Sequence, residues 1–205
     1  MPDIEPRILV LGIGNVLMLD EGIGNRVAVE LEKNYSFPDD VRIMDAGTMG
    51  LGMMHLFRGV EFMLVVDAMD GSGHPPGTVV RIAPEDFAPN QVMHSLHDIR
   101  FVDVLEAAKL IGLMPEADCI GIQVQDMSPA EITIGLSEPV EAAVPRAVAA
   151  VLYVLEERGV QVQPLESPDA DDAFRETVAE AKADIARRQA ERAAAGTPTT
   201  GEARS

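Results

Sequence analysis

The chain has 205 residues, 47% hydrophobic and 4% aromatic, and its 34 acidic against 16 basic side chains give a net charge of −18. One sizeable core fits that length and a second full domain does not, while the acidity, carried already by residues 1–160 with 25 acidic and 10 basic groups, excludes nucleic acid and anionic membrane as partners because phosphate binding needs clustered Lys and Arg. A lone Cys119 rules out an internal disulfide, and the lack of a secretory opening or a membrane-length apolar run leads us to expect a cytoplasmic protein, with a monomer as the default.

Residues 7–13 are a continuous apolar run ending in glycine, the pattern of a strand covered on both faces. Residues 22–35 follow, with Ile23, Val27, Leu31 and Tyr35 at helical spacing. The alternation repeats, since residues 41–45 read as a strand, 49–57 as a short helix and 62–67 as a second wholly apolar strand. Such alternation predicts an α/β three-layer sandwich, a twisted, mainly parallel mixed sheet of about five strands flanked by helices. Residues 77–82 follow the His74-Pro-Pro-Gly turn on a short connection and should pair antiparallel at an edge. A helix from about residue 97 to 111, a strand over 118–124 and a helix over 140–155 complete the core; Phe101, Val104, Leu105 and Ala108 share one face of the first. After Gly159 the chain becomes charged and Ala-rich, with Phe174, Val178 and Ile185 as a thin apolar stripe. Residues 1–160 therefore read as the domain and 161–205 as a partly helical extension with a disordered end.

The loop after the first strand, Gly12-Ile-Gly-Asn-Val-Leu-Met-Leu-Asp-Glu-Gly-Ile-Gly24, departs from a dinucleotide fingerprint. Leu17 stands where its third small residue belongs, and Asp20 and Glu21 at the helix entrance repel a pyrophosphate. Helix capping accounts for one of these acids but does not require both. The apolar Met18-Leu19 beside them points to a surface that meets protein. Asp67 ends the strand over 62–67, at the edge where open α/β sheets hold their ligands, although a turn or N-cap acid fits the position equally well. His97 stands at the start of a helix, where an isolated histidine is as a rule structural. Taken together, Glu21, Asp67 and His97 come from three loop or strand ends that a doubly wound sheet brings to one rim, and two carboxylates with an imidazole suit a divalent transition metal. His55, His74 and His94 read as structural or solvent-facing, and Cys119 as a core residue. No Gly-x-Ser-x-Gly elbow or His-Glu-x-x-His pair is present.

Gly12-Ile-Gly-Asn15 followed by Asp20-Glu21-Gly22-x-Gly24 resembles the N-terminal signature of the hydrogenase maturation endopeptidases. The similarity continues through Asp45-Ala-Gly-Thr48, Val66-Asp-Ala68, Ser95-Leu-His97 and Gly135-Leu-Ser137, in order, over about residues 6–160. This resemblance implies a nickel-recognising endopeptidase in which Glu21, Asp67 and His97 bind the metal. The implied substrate is the large-subunit precursor of a nickel–iron or nickel–iron–selenium hydrogenase, cut beyond its metal-ligating C-terminal cysteine motif after nickel insertion. Nickel then arrives with the substrate, and other divalent transition metals should also fit. Asp45, Gly47 and Thr48 match a loop expected to orient the peptide, with Ala46 in place of the usual glycine; a turn role for Asp45 is nearly as consistent. No nucleophile is assigned. A nickel-checking chaperone that cuts nothing is the alternative in the binding class, and a nucleotide-binding module stands well behind it.

Overall fold

The computed structural model of the chain describes residues 6–82, 101–166 and 170–195, with the backbone alone at 101–102 and 192–195. Strand β1 (Ile8–Ile13) is apolar throughout because both of its faces are covered. Side chains alternate across a strand, so Ile8 and Val10 enter one core while Leu9 and Leu11 enter another on the opposite face. A single 3-10 turn, Leu19–Gly22, leads into helix α1 (Ile23–Asn34). A two-residue strand β2 (Tyr35–Ser36), strand β3 (Val41–Gly47), a 3-10 helix Gly50–Phe57 and strand β4 (Phe62–Met69) follow. Every residue of β4 is buried, with Leu64 and Val66 in the first core and Met63 and Val65 in the second.

Strand β5 (Val79–Ile82) precedes helix α2 (Phe101–Leu110) and strand β6 (Glu116–Gln123). The five long strands form one sheet in the order β3-β1-β4-β6-β5, parallel except for β5, which runs antiparallel to β6 at the edge. The mixed sheet and its antiparallel edge are as the sequence predicts. Helices α1 and α4 cover the first core, while α2 and the 3-10 helix pack together over the second. Strand order reverses at β1, whose neighbours are β3 and β4, and open α/β sheets bind ligands at the carboxyl ends of strands at such a reversal.

Two local expectations are corrected, and a third lies partly outside the described residues. The helix expected over 140–155 is two, α3 (Glu138–Glu141) and α4 (Val144–Glu157). Pro145 has no N–H to donate and is tolerated only in a first turn, so a new helix starts there. The short helix over 49–57 takes the tighter 3-10 form. Of the helix expected over 97–111, only Phe101–Leu110 falls within the described residues; Val104, Leu105 and Ala108 are buried as the spacing implies.

Beyond residue 160, β7 (Gln163–Pro164) pairs antiparallel with β2, and α5 (Asp172–Ala195) lies along α4. Val178 is buried in the first core, with Phe174, Ala181 and Ile185 packed against it. Fully buried Asn34 fastens this segment to α1: its Oδ1 accepts the Asp171 amide at 3.0 Å, and its carbonyl oxygen accepts the Leu165 amide at 2.9 Å. No helix among the described residues is long and apolar enough to cross a membrane.

Candidate functional site

Two glycines set how closely α1 approaches the sheet. A Cβ on Gly24 would lie 2.1 Å from the Ile13 oxygen and 2.4 Å from the Val66 oxygen, and one on Gly12 would lie 2.2 Å from the Gly24 oxygen. These are far inside van der Waals contact. With glycine at both positions the first turn of α1 rests directly on the ends of β1 and β4, and the Leu19–Gly22 turn comes against β4. Glycine at both positions thus serves the packing of α1 on the sheet.

The two acids of that turn have different tasks. Asp20, fully buried, accepts four hydrogen bonds: from the amides of Gln125 and Asp126 (both 3.0 Å) and the Ser137 hydroxyl (2.8 Å) at Oδ2, and from the Ser137 amide (2.6 Å) at Oδ1. Helix capping is therefore not its role, and α1 has no side-chain cap. Asp20 instead ties the connection between β6 and α3 to the first loop. Glu21 is buried as well, and its charge is felt at Asp67.

Asp67 lies in the C-terminal half of β4, 8% exposed, opposite Gly121 of β6. Its only hydrogen-bond donor among the described residues is the Ala68 amide, 2.8 Å from Oδ1. Burial pushes the Asp67 carboxyl up to about 8; the Ala68 amide opposes the rise and the Glu21 charge adds to it. Neither Asp20 nor Asp67 forms an ion pair with lysine or arginine among the described residues. A desolvated pair of carboxylates is costly unless a proton or a cation joins it, and hard oxygen donors are what a divalent cation takes.

The structure therefore brings Glu21 and Asp67 together. His97 and His94 lie outside the described residues, and among the described residues no group of three His, Cys, Asp or Glu side chains is arranged to hold a metal ion. His55 and His74 are exposed, His55 with Nδ1 against the Gly52 carbonyl, and Cys119 is buried in the second core.

The Asp45–Thr48 loop borders the same rim. Asp45 Oδ1 accepts the Gly47 amide at 2.9 Å and the side-chain amide of Asn25. The Gly14 amide donates to the Gly47 oxygen at 3.2 Å, which joins this loop to the first. Gly12 pairs with Asp45 and Ile13 with Gly47, so Ala46 is the extra residue of a bulge. Positive φ falls on Gly47, at +48°, and not on Ala46, so alanine replaces glycine there without backbone strain. Thr48 is exposed.

Sequence reasoning missed Asn25, which is 4% exposed within α1 and reaches Asp45. Its one signal is a polar residue on the buried side of a helix, between Ile23 and Val27. It also gave Ser137 no role, although Gly135-Leu-Ser137 lay in a matching stretch.

Residues 25–154 match the model of the hydrogenase maturation protease family. The chain is 39% identical over 198 residues to the hydrogenase expression/formation protein HupM of Azotobacter chroococcum mcd 1, covering 95% of this chain and 90% of that one. It is 34% identical over 165 residues to the hydrogenase 2 maturation protease of Escherichia coli (strain K12), covering 78% and 98%. Its fold matches the hydrogenase maturating endopeptidase HybD from E. coli with a TM-score of 0.68 and 33% identity, over 77% of this chain and 97% of that one. With more than half of its length matched by the family model, and a shared fold, the chain belongs to the hydrogenase maturation endopeptidases, a family of peptidases.

Proposed function

We propose that this enzyme removes the C-terminal extension of a nickel–iron or nickel–iron–selenium hydrogenase large-subunit precursor, and that it acts only on precursor already carrying nickel. The observation that carries the proposal is the buried Glu21 and Asp67 pair at the strand-order reversal, where the Asp67 carboxyl is pushed up to about 8 with no lysine or arginine partner among the described residues. A loaded precursor brings the missing positive charge, with Glu21, Asp67 and His97 as added ligands. An empty precursor brings none and leaves the buried Asp67 carboxyl holding its proton, so selection rests on a difference between two docking energies. Other divalent transition metals fit the same donors. Nickel held there would supply Lewis-acid polarisation of a nearby carbonyl. Asp45, fixed by Asn25 and by the Gly47 amide, orients the tail together with Gly47 and Thr48.

Incubating the protein with nickel-loaded and nickel-free precursor and reading the precursor's intact mass tests this. Loss of a C-terminal peptide from the loaded form alone is expected. An unchanged mass with nickel-dependent complex formation would instead mark a chaperone. Glu21→Gln keeps the side-chain shape and removes one anionic ligand, so it should abolish processing; undiminished cleavage by that variant rules out metal readout through Glu21.

A further inference from the structure

The connection over residues 124–137 is long for a compact domain, and long connections without regular structure are usually functional. Both of its ends are fixed. Asp20 holds Gln125 and Asp126 at one end and Ser137 at the other. Between them Thr133 forms a parallel bridge with Met18, its amide donating to the Leu17 oxygen at 3.0 Å and its carbonyl accepting the Leu19 amide at 2.8 Å. The loop carrying Glu21 and the segment around Thr133 are thus joined by one isolated parallel β-bridge.

Along an extended chain the polar backbone groups of successive residues point to opposite sides. Thr133 spends both of its groups on the first loop, so those of Ile132 and Ile134 face the other way, and they make no hydrogen bond to any other described residue. Ile132 and Ile134 are also 72% and 77% exposed, among the most exposed large apolar side chains described. Val16 and Leu17 of the paired loop are about half exposed. An open backbone edge flanked by apolar side chains is the template for strand addition.

The charges around it indicate what it receives. From residue 110 to 145 the chain has no lysine or arginine, while Asp126, Glu131 and Glu138 are exposed beside the edge. Charge complementarity therefore favours an apolar segment that bears basic residues.

We propose that residues 131–135 are a docking edge to which an extended, apolar, base-bearing segment of the precursor's C-terminal tail adds as a third strand, laying the tail alongside Glu21. This rests on the endopeptidase reading. Metal readout and tail alignment are then coupled, because the segment that binds the tail is bridged at Thr133 to the loop that carries Glu21.

Ile134→Pro removes one outward N–H and keeps an apolar side chain; Ile132→Thr with Ile134→Thr keeps strand propensity and removes the apolar surface. Thermal unfolding identifies which variants retain the fold. With nickel-loaded precursor as substrate, each folded variant should raise KM about tenfold, the worth of roughly one hydrogen bond or one buried side chain, while kcat stays near wild type. Wild-type KM in a folded variant overturns the proposal.

Amide exchange of the wild-type chain gives a readout that needs no cleavage. Ile132 and Ile134 should exchange freely alone and become protected in excess loaded precursor, with Thr133 protected throughout. Exchange at Ile132 and Ile134 that the precursor leaves unchanged refutes the edge, and protection already present in the protein alone assigns it to a second copy of the chain. Protection of these two amides with no loss of precursor mass would uphold the edge while overturning the endopeptidase reading.

Discussion

The rim at the ends of β1 and β4 and the flank formed by α4 and α5 both gather carboxylates, and they stabilise them by opposite means. On the flank, Asp184 is ringed by Arg187, Arg188 at 2.8 Å and Arg146 at 3.2 Å, and hydrogen bonding led by Arg187 holds its carboxyl down to about 2. On the rim, Asp20 relies on three backbone amides and one hydroxyl, and Asp67 on a single amide. The flank is balanced by its own arginines and gains nothing from an added cation. At Asp67 no lysine or arginine supplies that balance among the described residues, as the proposed uptake of a cation from the substrate would require. Burial alone does not distinguish structure from function here, since Asp20 is the more deeply buried of the two rim aspartates; the number of donors around each carboxylate does.

The strongest way to break the rim is to move α1. Gly24→Ala drives a methyl group into two backbone oxygens and the Ile13 amide nitrogen, 2.1 to 2.7 Å away, and no side-chain rotation relieves such a clash. A loss of about 4 kcal/mol in urea unfolding is expected, at the upper end for a single substitution. Wild-type stability would mean that the helix does not rest on β1 and β4. Asp20→Ala comes next. It orphans four donors, two from each end of the 124–137 connection, and should cost about 3 kcal/mol. Amide exchange at Gln125, Asp126 and Ser137 should rise with it. If those amides keep their protection, Asp20 is not what ties the connection down.

Asp67→Asn should act in the opposite direction at neutral pH. In the folded protein the carboxyl keeps its proton up to about 8, whereas in the unfolded chain it releases it near 3.8. Between those values the native state binds more protons than the unfolded one, so this group's contribution to stability falls as pH rises. The variant lacks that slope: the two proteins should be closest in acid, with the variant the more stable as pH approaches 8, in metal-free buffer. The gain is smaller than the Asp20→Ala loss because relaxation and water entry around a buried carboxylate absorb part of the penalty. Parallel pH–stability curves for the two proteins would place Asp67 among the satisfied acids.

Periodicity carried the sheet, because β1 and the part of β4 before Asp67 are covered on both faces and so read as unbroken apolar runs. The antiparallel edge followed from the short connection before β5. What periodicity could not show is that Asp20 and Glu21, adjacent in sequence, point to different partners. Ser137, which separates their roles, stands 117 positions from Asp20, and no local pattern encodes that contact. Asn25 escaped for a related reason, since a polar residue in an amphipathic helix normally marks the solvent side, and its partner Asp45 stands 20 positions away on β3. The β2–β7 pair was illegible because each strand has two residues, too few for any period.

The smallest expected effect is on the flank. Asp184→Asn removes a carboxylate from three arginines, yet Arg187 and Arg188 are mostly exposed and water solvates them once the partner is gone. Exposed ion pairs contribute little and are screened by salt. Because the folded carboxyl sits below its ordinary value, whatever stability it adds is present above 3.8 and is lost as pH falls through about 2. The variant should therefore match wild type in strong acid, differ slightly at neutral pH in dilute buffer, and match it again in high salt. The contrast with Asp67 sharpens here, since salt screens a buried carboxylate much less than an exposed one, and the Asp67→Asn difference should survive in the same high-salt buffer. A salt-resistant loss at Asp184 as large as that of Asp20→Ala would mean that the flank, too, depends on a buried charge, and the proposed division between the two regions would fail.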